Sequence, residues 1–477
     1  MYSEEMFINR IAMDNPWWTT GDISDAYASD RARFFLDDVY AHLTDWETRR
    51  AVLLLGPRRV GKTWLMQHAV QRLLREKAVL SKDIVFVSVD VPVYHGTSLE
   101  DLLYAAARVS GADVRADRMY VFFDEVQYLK DWEVHLKTLT DAYPNIRFMA
   151  SGSAASALAK GSLESGAGRF TDLKLAPLSF FEYVHLLGKA DEFSNDAVKV
   201  SDQTFVFPGY PSMEKLNNLF LDYVNFGGYP ELVMNSGVRA NPMQFIQRDI
   251  VDKVLLRDLP SLYHIEDVRD LQSFFSYLAF HSGMVQSWES LSQGAGLKKA
   301  MIVQFLRYLE DAFLVCRHDR VDITAASLQR ATQFKIYLTN TSLRASMFQP
   351  VVRADDPYIG YSVETAISAQ LGIGEARAPW RYANWKAGKT QGEVDFVHIH
   401  PGLCRPDLAM EVKWSDGPFD HPAEVDQAVS FCERNGITRL WVTTRSQQGV
   451  RRSRSVELVY IPTALMAYYL GKGGLLK

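Results

Sequence analysis

The sequence of 477 residues predicts an α/β protein in three parts. Short apolar runs alternate with amphipathic segments over residues 45–180. Near-continuous apolar strands of this kind belong to a parallel sheet covered by helices on both faces. Residues 210–315 read as mostly helical, with a Gly-Gly-Tyr-Pro break at 227–230. From about residue 331 strands and helices mix again. Three parts also suit the length, at about 150 residues per domain.

The composition narrows the class. Hydrophobic residues make up 47% and charged residues 23%. That excludes a disordered chain, a collagen-like fibre and a long coiled coil. Three scattered cysteines, Cys316, Cys404 and Cys432, supply neither a disulfide framework nor a zinc site. No apolar run approaches the ~18 residues of a spanning helix, and the start of the chain has no signal-peptide core. The expectation is a cytoplasmic protein without membrane contact. The net charge of -5 argues against a uniformly basic surface and is silent on local patches.

In the first part, AVLLL (51–55) leads into a helical stretch from Lys62 to Arg75. IVFVSVD (84–90) precedes SLEDLLYAAARVS, and MYVFFDE (119–125) precedes WEVHLKTLTDAY. RFMAS (147–151) and DLKLAPL (172–178) complete the strands.

Between the first strand and its helix lies Gly56-Pro57-Arg58-Arg59-Val60-Gly61-Lys62-Thr63, followed by Trp64. This fits the spacing of a phosphate-binding loop. Its glycines let backbone N–H groups of the loop turn toward nucleotide phosphates. Lys62 reaches the β and γ phosphates, and the Thr63 hydroxyl suits Mg²⁺. The helix N-terminus adds favourable partial charge. MYVFFDE supplies the second half. Asp124 is the expected member of the Mg²⁺ shell, and Glu125 the candidate to polarise the attacking water. Sixty-two residues separate Lys62 from Asp124, with IVFVSVD between them. This leaves room for a strand inserted between the two halves. Ser151 and Ser153, at the end of the next strand, are candidates to sense the γ-phosphate, or simply small residues at a turn. Arg169 reads either as a finger supplied to a neighbour's nucleotide, which implies a homo-oligomer, or as a surface ion pair.

The middle part contains QSWESLSQGAGLKKAMIVQFLRYLEDAFLV (286–315). A short helix around Trp288–Ser292, a turn at Gly294 and Gly296, and a longer helix from Leu297 make a helix-turn-helix-like pattern. Ile302, Phe305, Leu306 and Leu309 form its apolar stripe. Residues 298–335 carry seven Lys/Arg against four Asp/Glu. DNA contact and protein packing are both open readings.

In the third part, Glu364 lies on an amphipathic helix, GEVDF (392–396) opens a strand and AMEVK (409–413) forms another. Strand side chains alternate faces, so Glu393 and Asp395 share one face, as do Glu411 and Lys413. Val394, Phe396, Met410 and Val412 are expected in the core. A hairpin bringing Asp395 to Glu411 makes an oxygen site suited to Mg²⁺ or Mn²⁺, with Lys413 placed to orient a water. An exposed hairpin of mixed charge is the alternative. Residues 434–454 hold six arginines and no acidic residue, a pattern suited to phosphate contacts.

Together these motifs resemble a prokaryotic family of AAA+ ATPases with a C-terminal domain similar to PD-(D/E)XK nucleases. The resemblance runs through GPRRVGKT, VFFDEVQYLKDWE, ASGS, GR with LAPLSFFEY, FGGYPE, KIYLTN, the VET helix, GEVDF and AMEVKWS. It implies a P-loop AAA+ (ASCE) domain over 1–190, a helical and winged-helix part over 191–330, and a restriction-endonuclease-like α/β domain over 331–477. It implies ATP with Mg²⁺ as cofactors and DNA as a partner. It places Glu364, Asp395 and Glu411 as ligands of a second Mg²⁺ or Mn²⁺, with Lys413 catalytic. The implied function is ATP hydrolysis that controls a metal-dependent DNA nuclease, or, alternatively, a nucleotide-switched scaffold that does not cleave. Two positions depart from the family: Asn340 stands where Asp is usual, and Ser151 where Thr is usual.

Overall fold

A computed structural model describes all residues except 1–3, 30, 77–78, 154–167, 201–202, 325–331, 353–355, 372–379, 388–389 and 474–477. The chain divides into two compact units, Met1–Ala176 and Pro177–Lys477. The boundary at 176 precedes the expected one at 190.

The first unit is built on five parallel strands: β1 (Ala51–Gly56), β2 (Ile84–Ser88), β3 (Met119–Asp124), β4 (Ile146–Ser153) and β5 (Phe170–Lys174). Their order is β2-β3-β4-β1-β5, every pair parallel. The residues of β1 and β3 are buried throughout, as continuous apolar runs require in a sheet covered on both faces. Helix Lys62–Arg75 buries Leu65, Met66, Ala69, Val70 and Leu73 against this sheet. The strand inserted between β1 and β3 is β4. IVFVSVD forms β2 at the outer edge instead.

An exposed edge strand is a template for unwanted pairing. Here the Asn15 side chain plugs that edge, donating to Phe86 O at 2.7 Å and accepting from Phe86 N at 2.6 Å. Trp17 and Trp18 both donate their indole N–H to Ile84 O.

The second unit holds a hairpin, β6 (Ser194–Val200) and β7 (Gln203–Gly209), and a nine-stranded mixed sheet. The sheet strands are β8 (Val285–Ser287), β9 (Val315–Val321), β10 (Gln333–Leu338), β11 (Trp380–Ala387), β12 (Thr390–Ile399), β13 (Pro406–Glu411), β14 (Arg439–Thr444), β15 (Gly449–Ser453) and β16 (Val456–Pro462). Their order is β15-β16-β14-β13-β12-β11-β9-β10-β8. One face packs Phe396, Met410, Trp441 and Val459 with helices Ile359–Leu371 and Thr463–Gly471. The other packs Val397, Ala409, Leu440 and Leu458 with helix Asp426–Asn435.

Helix Val268–Phe280, β8, helices Trp288–Ala295 and Lys299–Asp311, then the antiparallel β9–β10 pair follow one another. β8 closes on β10. The stripe Ile302, Phe305, Leu306 and Leu309 is buried as expected. Gly296 is the left-handed cap of the first of these two helices, at φ 69°, whereas Gly294 lies inside it. A Cβ at Gly294 would come within 2.3 Å of the Tyr277 hydroxyl, so a side chain there would have to displace the Tyr277 ring. The β9–β10 pair straddles residue 330 and joins the sheet of the third part. The middle part also holds the β6–β7 pair, which the helical reading of that part did not include.

Among the described residues, no helix is long and apolar enough to cross a membrane.

Candidate functional site

The first cluster forms where β1, β3 and β4 end. Gly56 closes β1 against the neighbouring backbone: a Cβ there would lie 2.5 Å from Leu175 O. The loop then turns through two left-handed residues, Arg59 at φ 62° and Gly61 at φ 95°. Val60 is fully buried and its carbonyl accepts from Arg33 Nη1 at 3.0 Å. The same nitrogen donates to Ala176 O at 3.0 Å, so Arg33 holds the loop from outside the motif.

Lys62 is 5% exposed and donates to the carbonyls of Gly56 and Pro57, each at 3.0 Å. Its ammonium is thereby curled inside the loop. Thr63 Oγ1 donates to Asp124 Oδ2 at 2.6 Å. Ser151 donates its hydroxyl to Asp124 Oδ1 and accepts the Glu125 N–H at 3.1 Å. Glu125 itself is left-handed, at φ 58°, and accepts from the Gln127 amide. Burial, and then the charge of Glu125, push the Asp124 carboxyl up to about 6, against the hydroxyls of Ser151 and Thr63. The hydroxyl and carboxylate are hard oxygen donors already side by side, and they fit Mg²⁺.

The remaining predicted residues lie farther out. Arg58 is half-buried and donates to the Tyr128 hydroxyl at 3.3 Å. Trp64 packs on His68, 4.6 Å between centroids. Arg169 pairs with Asp141, and both side chains are close to half exposed. The side chain of Ser153 is outside the described residues.

The second cluster forms in the second unit. β12 and β13 pair antiparallel, Phe396 opposite Met410, which brings Asp395 beside Glu411. Asp395 Oδ2 accepts the Val412 N–H at 2.9 Å. Lys413 Nζ donates to Glu411 Oε2 at 2.8 Å and lies 3.7 Å from Asp395 Oδ2. Glu364, from helix Ile359–Leu371, joins them.

The residue that gathers this cluster is one the motif reading did not assign to it. Lys335, on β10, is 2% exposed. Its Nζ lies 2.7 Å from Glu364 Oε1, 2.7 Å from Glu393 Oε1 and 3.4 Å from Asp395 Oδ1. Tyr337, two residues along, donates to Glu364 Oε1 at 2.6 Å. The signal in the sequence was KIYL itself: a lysine inside an apolar strand must find buried anions.

Val394, Phe396, Met410 and Val412 are buried as expected, with Val394 and Phe396 in different core clusters where the β11–β12 register slips between Arg381 and Ala383. Glu364, Asp395 and Glu411 are brought together, with the ammonium groups of Lys335 and Lys413 among them. Among the described residues, no group of three or more His, Cys, Asp or Glu side chains is disposed to hold a metal ion. Lys335 and Lys413 are ion-paired with these carboxylates.

Burial pushes Glu411 up to about 8, helped by the charge of Asp395, and pushes Glu364 up to about 7. Burial works the same way on Asp395, but the two ammonium groups hold it below its ordinary value. Lys413 is raised by its carboxylate neighbours against desolvation.

Residues 48–184 match the family model described as AAA domain, and residues 217–351 match one described as a domain of unknown function (DUF8612). Together with the five-stranded parallel sheet, this makes the first unit a P-loop domain of the AAA+ ATPase type. The chain is 22% identical over 302 residues to an uncharacterized protein of Haemophilus influenzae, covering 61% of this chain and 68% of that one. It is 23% identical over 274 residues to the uncharacterized protein MJ1544 of Methanocaldococcus jannaschii, 55% of each chain. Among solved structures it is similar to Cdc6p from Pyrobaculum aerophilum at 13% identity and a TM-score of 0.30, covering 68% of this chain and 95% of that one. At that score the likeness says nothing about this chain's chemistry.

Proposed function

We propose that the chain binds and hydrolyses ATP with Mg²⁺ and that its nucleotide state switches the second unit between binding states. The observation that carries the first half is the contact of Thr63 and Ser151 with the two oxygens of Asp124, with Glu125 tied to the same serine. Lys62 and the loop N–H groups would hold the phosphates. Thr63 and Asp124 would hold Mg²⁺, which neutralises charge on the transferred phosphoryl group. Glu125 orients and polarises the water. Phosphate release by wild type against Glu125→Gln tests this reading, and unchanged turnover in the variant refutes it.

The second unit supports two readings of one partner, DNA. In the first, Glu364, Asp395, Glu411 and Lys413 form a metal-dependent nuclease site under nucleotide control. Mg²⁺- or Mn²⁺-dependent nicking by wild type but not by Lys413→Ala tests it. In the second, the nuclease-like unit holds DNA without cutting. The two ammonium groups among the carboxylates favour this one. The succession of helix, β8, two helices and the β9–β10 hairpin supports a winged-helix contribution to DNA binding. Arg451 and Arg452 on β15 are exposed and available to phosphate. Functionally the chain then divides as ATP handling over 1–190, winged helix over 191–330 and nuclease-like fold over 331–477. DNA anisotropy with ATP and with ADP, across salt, tests the switch; identical affinities refute it. A role for Arg169 in trans requires it to leave Asp141 and requires a homo-oligomer, which sedimentation with ATP tests.

A further inference from the structure

We propose that Lys335 is a tethered counter-ion that occupies the cation position among Glu364, Glu393 and Asp395 and excludes a divalent metal from it. The inference rests on the non-cleaving reading of the second unit and supplies its physical cause. A buried ammonium is tolerated only where paired, hydrogen-bonded anions offset its lost hydration. Lys335 has three carboxylate partners, and no carboxylate oxygen of Glu364, Glu393, Asp395 or Glu411 is left buried without a hydrogen-bond partner. The remaining contacts complete the set: Tyr337 on Glu364, Asn384 on Glu393, Val412 N–H on Asp395 and Lys413 on Glu411.

Geometry separates an ammonium from a metal. Lys335 sets nitrogen–oxygen distances of 2.7 Å to two carboxylates. Mg²⁺ demands a shell at about 2.0–2.1 Å in near-octahedral order, so the same carboxylates would have to close in. The position they would close on is filled by a side chain that is 2% exposed and held in the middle of a sheet strand. A metal therefore has to displace Lys335 and strip its ammonium of three carboxylate partners.

Electron paramagnetic resonance of Mn²⁺ added to the nucleotide-free full-length protein tests this. Wild type and Asp395→Asn should bind Mn²⁺ equally. Lys335→Met should take up one additional Mn²⁺ and melt several degrees higher when it is present. Both gains should vanish in Lys335→Met/Asp395→Asn. Lys335→Arg, which keeps the charge, should behave as wild type. Mn²⁺ bound by wild type and lost in Asp395→Asn overturns the proposal, as does Lys335→Met binding no more than wild type. If Lys335→Met does not fold, the wild-type, Asp395→Asn and Lys335→Arg comparison decides. DNA nicking by wild type would instead sink the non-cleaving reading, so the two failures are distinct.

Discussion

Thr63 and Asp124 meet directly: the hydroxyl at the start of helix Lys62–Arg75 donates at 2.6 Å to the carboxylate that ends β3. The helix follows β1, which is not a neighbour of β3, because β4 lies between them. Ser151 of β4 completes the link by donating to the other oxygen of the same carboxylate. One acidic side chain is thus held from a helix start and from the neighbouring strand β4, with Glu125 hung on the same serine by its N–H.

Ser151→Ala removes both links. It leaves a buried carboxylate oxygen short of a partner, a cost of about 1–3 kcal/mol. We expect a lower denaturation midpoint and a fall in kcat larger than the loss of nucleotide affinity. Ser151→Thr keeps the hydroxyl and should retain turnover. Steady-state phosphate release and nucleotide titration check both.

Gly228 is placed against Asn340. A Cβ at Gly228 would fall 1.1 Å from Asn340 Nδ2, while Asn340 Oδ1 accepts from Ser342 N at 3.0 Å. Gly228→Ala should therefore destabilise the second unit by about 1–3 kcal/mol through overpacking. Paired with Asn340→Gly it should cost less than the sum of the single changes, with a coupling of about 0.5–3 kcal/mol. Urea unfolding of the four proteins measures this.

His318 gives the second unit an acid limb. It is buried between Tyr337 and Phe396, and burial, with the charges of Arg381 and Lys335, pushes it down to about 3 from an ordinary 6.5. The folded form holds it neutral while the unfolded chain takes up a proton below 6.5, so stability falls as pH drops from 6.5 toward 3. His318→Gln should flatten that fall without altering the behaviour above pH 6.5. Urea midpoints across pH for both proteins report the difference.

Local pattern made the first unit legible. Continuous apolar runs marked four strands closely, and the glycine-rich spacing placed Lys62 and Thr63 at a helix start. Which strand lies between which was less so, because parallel order is set by long connections with no local signature. That is why β4, and not IVFVSVD, proved to be the inserted strand. In the second unit the alternation rule brought Asp395 to Glu411 and Val394 into the core, but did not tell which core face Val394 joins, because one slipped register moves its side chain to the other side of the sheet. Lys335 stood inside a quoted motif, KIYL, yet its partners are 29, 58 and 60 residues away in sequence and only the fold joins them. Arg33 likewise carries no motif, since it serves the loop by holding Val60 O from a distant segment.

The most direct test is phosphate release from ATP and Mg²⁺ by wild type, Glu125→Gln and Lys62→Ala, with nucleotide binding measured on the same preparations. The account predicts turnover by wild type, a loss of about 10²–10⁴-fold in Glu125→Gln with binding retained, and loss of binding itself in Lys62→Ala. Turnover unchanged by Glu125→Gln, or nucleotide bound equally well by Lys62→Ala, would contradict it.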